Sequence, residues 1–125
     1  MVHEVADALR KQDAVAVFPE GTTGAGHAVL PFHANLLQAA ITTGTVVQPI
    51  VLRYSEPGLP VSLAAQYIDD TTLVDSLMKV CRARGIVVDV RFLAPEPAGE
   101  LDRRALAERL HDRVAAELRS VIQAA

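Results

Sequence analysis

The sequence predicts an α/β fold, a small, mostly parallel sheet with helices packed on it, and three observations carry that expectation. Residues 14–18 and 46–54 are nearly unbroken apolar runs, the pattern of strands buried on both faces. Between them, residues 32–43 repeat apolar positions at the helical period. Together 14–54 read as one strand–helix–strand crossover, which should be parallel and right-handed. A third strand over 86–93 and two more helices complete one domain over 1–125, its C-terminal strand and helices spanning 71–125.

Taken in order, residues 2–12 read as the end of an amphipathic helix. Val2, Val5, Ala6 and Leu9 share one stripe, and Glu4, Asp7, Arg10 and Lys11 occupy the rest. Gln12-Asp13 turn into the strand 14–18, which stops at Pro19 because proline has no N–H for a ladder. Pro31 suits the first turn of the next helix. Its Leu36, Leu37, Ala40 and Ile41 face inward, and Gly44 ends it in the left-handed conformation. Val46 to Tyr54 is the second strand, and Ser55 to Pro60 a turn cluster.

Thr71 or Thr72 then caps a helix, with Asp75 placed to complete a capping box at Thr72. Leu73, Leu77, Val80 and Cys81 would be its buried stripe, and Gly85 its end. In the strand 86–93, Asp89 and Arg91 fall on one face, which suggests a sheet edge or one wet face. Ala94 to Gly99 is a breaker, and a last helix runs from Leu101 to about Ile122. Apolar residues recur at 106, 110, 114, 118, 121 and 122, opposite a charged face with Arg103, Arg104, Arg109, Arg113 and Arg119. Such a helix can lie on anionic lipid. The interleaved Glu108, Asp112 and Glu117 favour packing on the sheet instead.

The segment 19–30 is long for a connection in an α/β unit, where 2–6 residues are usual. Glu20, Gly21, Thr22 and Thr23 fall at the carboxyl end of the first strand, the rim where open α/β sheets bind ligands. Backbone N–H groups beside Gly21, Gly24 and Gly26 can cradle a phosphate, with the two threonine hydroxyls adding donors. Glu20 has the wrong sign for a phosphate and suits orienting a hydroxyl or pairing with a cation. A plain polar turn is the alternative.

Phe18-Pro19-Glu20-Gly21-Thr22 resembles the acceptor-binding motif of the glycerolipid acyltransferases, especially bacterial 1-acyl-sn-glycerol-3-phosphate (lysophosphatidate) acyltransferases. Leu30-Pro31-Phe32 follows at the family's usual distance, and Val46-Val47-Gln48-Pro49-Ile50 resembles its last block. The resemblance covers residues 14 to about 54. It implies acyl transfer from a thioester, on coenzyme A or acyl carrier protein, to the hydroxyl of a lysophospholipid, within the glycerolipid acyltransferase fold. No cofactor beyond the acyl donor is implied. Glu20, Gly21, Thr22 and Thr23 would line the site for the acceptor's polar head.

In that family a His-x4-Asp pair upstream supplies the general base and the group that orients it. Here the fifth residue after His3 is Ala8, after His27 Phe32, after His33 Gln38 and after His111 Ala116. His3 and Asp7 sit one helical turn apart and read as a solvated contact. His33 reads as a partly buried structural histidine. No residue here is therefore assigned as catalytic, and the chain is expected to be the C-terminal portion of such an enzyme. The family often carries arginine after Thr22. Here that position is Thr23, so this loop holds no cation for a phosphate. A non-catalytic domain binding phosphate or lipid head groups, or a truncated inactive fragment, are the rival readings. By the same resemblance, Leu59 and Val61 fall near the lipid-binding side, the plain alternative being a surface loop.

Composition limits the partners. A net charge of −3 with no block of like charge argues against nucleic acid. The single Cys81 excludes an internal disulfide and a thiolate zinc site. Half the residues are hydrophobic, enough for a folded core. The longest stretch without Asp, Glu, Lys or Arg, Gly21 to Leu52, is too polar and interrupted to span a bilayer. A cytoplasmic protein peripheral to the inner face of the membrane is the expectation.

Overall fold

A computed structural model describes residues 1–125. Helix α1 spans Val2–Arg10, a 3-10 turn covers Ala34–Leu37, and α2 follows at Gln38–Thr43. Strand β1 is Ile50–Ser55, α3 is Leu73–Arg82, β2 is Val87–Phe92 and α4 is Arg103–Gln123. The α/β class holds. The sheet, however, has two strands and they are antiparallel, Ile50 facing Phe92 and Ser55 facing Val87.

The expected parallel crossover is therefore corrected. Residues 14–18 form no strand, and Val15, Val17 and Phe18 are exposed. Its apolar composition suits a strand covered on both faces, but a five-residue strand forms only against a ladder partner. β1 takes its partner from β2, and no strand lies beside 14–18.

The helix ends follow local rules more closely. Gly44 closes α2 at φ 64°, where a side chain would be strained. Thr72 and Asp75 form the capping box of α3, and Asp102 caps α4 by accepting from the amides of Arg104 and Ala105. The Thr72 hydroxyl and amide hold the Asp75 carboxyl below its ordinary range, and the amides of Ala105 and Arg104 do the same for Asp102. A lowered native value makes each carboxylate stabilising above the ordinary carboxylate range, about pH 4. That contribution is lost as pH falls through the lowered value.

Helix α4 organises the core. Leu106, Ala107 and Leu110 pack with Leu37, Ala40 and Ala98, while Val114 and Leu118 pack with Val51. Phe32 touches both clusters. Glu96 is buried between its neighbours and paired with Arg113 (2.6 Å) and Arg109 (2.5 Å) of α4, while its backbone bridges to Val47. A buried carboxylate is tolerated only with such partners.

Helix α3 departs from expectation. It has no buried residue; Leu73, Leu77 and Val80 are exposed, and so is Cys81, expected to be a small core residue. The capping box fixes where the helix starts but supplies nothing for its apolar stripe to pack on.

The faces of the sheet are also reversed. Val51, Arg53 and Ser55, opposite Arg91, Asp89 and Val87, form the face that meets α4. There Arg53 pairs with Asp89 and donates to the Val121 carbonyl (3.3 Å), and Arg91 pairs with Glu117 (2.9 Å). The charged residues of β2 thus lie on the helix side of the sheet, Asp89 partly buried and Arg91 exposed at its rim, and the other face is left bare.

Replacing Glu96 with Gln strands two arginines without a counter-charge. It should cost on the order of 3 kcal/mol, roughly a 10 °C fall in Tm by thermal circular dichroism. Arg113→Ala should cost more than Arg109→Ala, because Arg109 is the more exposed partner. Equal Tm values for all three variants and the parent would show that the cluster contributes nothing.

Candidate functional site

The segment after Phe18 closes on itself. The Gly21 amide donates to the Phe18 carbonyl (3.2 Å) with Gly21 at φ 68°, a tight turn that favours glycine. The His33 amide donates to the Pro19 carbonyl (2.7 Å), and the Leu30 amide donates to Glu20 Oε2 (2.8 Å). One carboxylate and one proline carbonyl thus tie the start of the loop to its end. Glu20 is half-buried, and its structural partner is a backbone N–H within the loop.

Gly21 is required for space as well as for conformation. The His33 ring lies against it, and a Cβ there would stand 2.6 Å from Cδ2 and 2.8 Å from Nε2. His33 is exposed, against the expectation of a partly buried structural residue. Its ring leans out over the loop because its backbone is held to Pro19 and the inward positions belong to Phe32 and Leu37.

The outer side of the loop is tied to residues 61–67. The Thr23 hydroxyl donates to the Tyr67 carbonyl (2.5 Å), and the Gln66 side-chain amide donates to the Ala25 carbonyl (2.7 Å). Gly26, at φ 86°, approaches Val61, whose Cγ1 would lie 3.1 Å from a Cβ. Val61 is consequently buried, not the exposed apolar residue of a surface loop or a membrane contact; Leu59 is exposed. With its proton committed to Tyr67, Thr23 has only lone pairs to offer a ligand. Thr22 is exposed.

On the inner side, His111 Nε2 lies 3.2 Å from the Val29 carbonyl, and the ring meets Phe32 edge-on at 5.3 Å and 87°. A carbonyl only accepts, so Nε2 carries the proton in this contact. His111, Gln66 and Tyr67 are the supports that sequence reasoning missed. His111 follows Leu110 on the margin of the α4 stripe, a local signal. Nothing local marks Gln66 or Tyr67, which meet the loop across more than 40 positions.

The structure thus brings Glu20, Gly21 and His33 together at the loop's neck and places Thr22 and Thr23 on its outer side. Between Gly21 and Leu52 there is no Lys or Arg. No group of three His, Cys, Asp or Glu is placed to hold a metal ion.

Glu20→Ala removes the acceptor for the Leu30 amide, whose hydrogen exchange should accelerate at least about tenfold, the loss of roughly 1.4 kcal/mol of local protection. Glu20→Gln keeps an acceptor oxygen and should retain most of it. Unchanged exchange at Leu30 in the alanine variant would mean the carboxylate does not hold the loop.

The comparisons with known proteins fall on this part of the chain and beyond it. Residues 1–53 match the family model described as Acyltransferase. A lyso-ornithine lipid O-acyltransferase of Pseudomonas aeruginosa is 33% identical over 88% of this chain and 42% of its own length. Another from Brucella abortus is 33% identical over 95% of this chain and 49% of its own. A 1-acyl-sn-glycerol-3-phosphate acyltransferase of Neisseria gonorrhoeae is 30% identical over 90% of this chain and 44% of its own. The chain spans less than half the length of these relatives. No solved structure matches it significantly. By its first 53 residues, and by a similarity that runs through most of the remainder, the chain belongs to the acyltransferase family.

Proposed function

We propose that these residues form the acceptor side of an enzyme that moves a fatty acyl group from a thioester to the hydroxyl of a lysophospholipid. The donor would be acyl-coenzyme A or acyl-acyl carrier protein. One observation carries the reading: Phe18 to Thr22 form a loop closed by Glu20 and Leu30, in a chain whose relatives are named for acyl transfer to lysolipids. The acceptor oxygen attacks the thioester carbonyl carbon, the C–S bond breaks, the hydroxyl proton passes to a base and the departing sulfur takes a proton.

The roles proposed for the loop follow from its chemistry. Glu20 sets the loop's shape through the Leu30 amide. Gly21 lets the polar head approach the backbone, Thr22 offers a free hydroxyl, and Thr23 offers an acceptor. The His-x4-Asp pair that the family uses as base is not among these 125 residues. We assign it to the part of the relatives that this chain does not span. No helix is long and apolar enough to cross a membrane, and the proposed contact with the inner leaflet is peripheral. The missing pair also favours a second reading, a domain that binds lipid head groups without turnover.

These 125 residues, incubated with acyl-coenzyme A and either lysophosphatidate or lyso-ornithine lipid, should release no coenzyme A above background. General-base assistance alone contributes about 10²–10⁴ in rate. Turnover that disappears in His33→Ala would overturn this by revealing a base at the neck of the loop. In a protein that also carries the pair, Gly21→Val should raise KM for the acceptor and lower kcat, since it displaces His33 and blocks the backbone. Full activity in Gly21→Val and Glu20→Gln would remove the loop from the acceptor site, and head-group binding without turnover in that protein would favour the second reading.

A further inference from the structure

The bare face of the sheet consists of three cross-strand pairs, Ile50 with Phe92, Leu52 with Val90 and Tyr54 with Val88. All six are apolar or aromatic, and each is between 39% and 69% exposed. A sheet with one wet face puts its polar residues there. This sheet does the reverse, with Arg53 and Asp89 partly buried on the α4 side and Arg91 on the same side at its rim. The uncovered face is thus composed like an interior.

The whole surface agrees. The chain exposes 8347 Å², against about 6,500 Å² for a compact protein of its mass. The excess, about 1,900 Å², is more than twice the roughly 800 Å² that one partner buries in a standard interface, and suits an obligate one. Relatives that share 88–95% of this chain are more than twice as long as the part they share.

We propose that the bare face of β1 and β2 is the docking surface for the portion of the acyltransferase domain that these relatives possess and these residues do not include. That portion would cover Leu52, Val90 and their neighbours with an apolar layer, whether joined to this chain or separate. The face carries no charge, so neither a lipid head group nor a nucleic acid is its occupant. The inference rests on the functional reading above in one respect only: the docked portion is taken to bring the His-Asp pair.

The test is to co-produce this chain with the part of the Pseudomonas aeruginosa relative left outside the similarity. The two should purify as a 1:1 complex, and fluorescence of a hydrophobic dye bound to this chain should fall at least twofold. Val90→Asp should weaken association at least tenfold, whereas Leu73→Asp, on the exposed α3, should leave it intact. No association, association indifferent to Val90→Asp, or a stable dimer of this chain alone that Val90→Asp dissociates would each overturn the proposal. A second measurement needs no foreign chain: Leu52→Asp with Val90→Asp should halve dye binding without changing the far-ultraviolet circular dichroism. Unchanged dye binding would show that the face is not the exposed apolar surface. Release of coenzyme A by the complex reports on function separately. A complex that forms but transfers no acyl group leaves the docking surface standing and counts against the catalytic reading; transfer undiminished by Val90→Asp does the opposite.

Discussion

Phe32 is the residue through which the candidate site and the core become one structure. It belongs to both apolar clusters, one built on Leu37 and Leu106 and the other on Val51 and Val114. Its ring also meets His111 edge-on, and His111 in turn holds the Val29 carbonyl. A buried aromatic side chain contributes both apolar area and a preferred contact geometry. Here it fixes where the loop ends, because Leu30, Pro31 and Phe32 leave no slack between the Glu20 contact and the core. The neck of the loop therefore inherits its position from α4, although α4 contributes no residue to the proposed acceptor site.

The same helix decides the electrostatics of the molecule. Glu96 pairs with Arg109 and Arg113 of α4, Glu117 of α4 pairs with Arg91 of the sheet, and Asp89 pairs with Arg53 between the two strands. These pairs sit partly shielded from water, where charge interactions are stronger than at the surface. They help seat α4 on protein: Arg109 and Arg113, two of its five arginines, share the acidic partner Glu96 in the neighbouring segment. What remains in excess is apolar. The bare sheet face, the stripe of α3 and the run 14–18 are three hydrophobic features without cover in the same chain. Exposed patches of this size mark interaction surfaces.

The sequence by itself determined what depends on near neighbours. The capping box at Thr72 and Asp75, the left-handed Gly44 and the 106–110–114–118–121 stripe are each encoded within a few residues, and each formed as written. So was the motif of Phe18 to Thr22, which located the loop and its family. Asp102, expected inside the last helix, is instead its N-cap. Tertiary structure decided the rest. Whether 14–18 became a strand depended on a ladder partner, which sequence cannot supply, and β1 paired with β2 instead. Which face of β2 met the helix depended on where Arg53 and Glu117 lay, so an apolar–polar alternation identified the two faces but not their orientation. His33 turned outward over Gly21, and His111 turned inward to Val29, through contacts made by residues 12 and 82 positions away. A pattern of periodicity reports what a segment prefers to bury; only the packed chain settles what is there to bury it against.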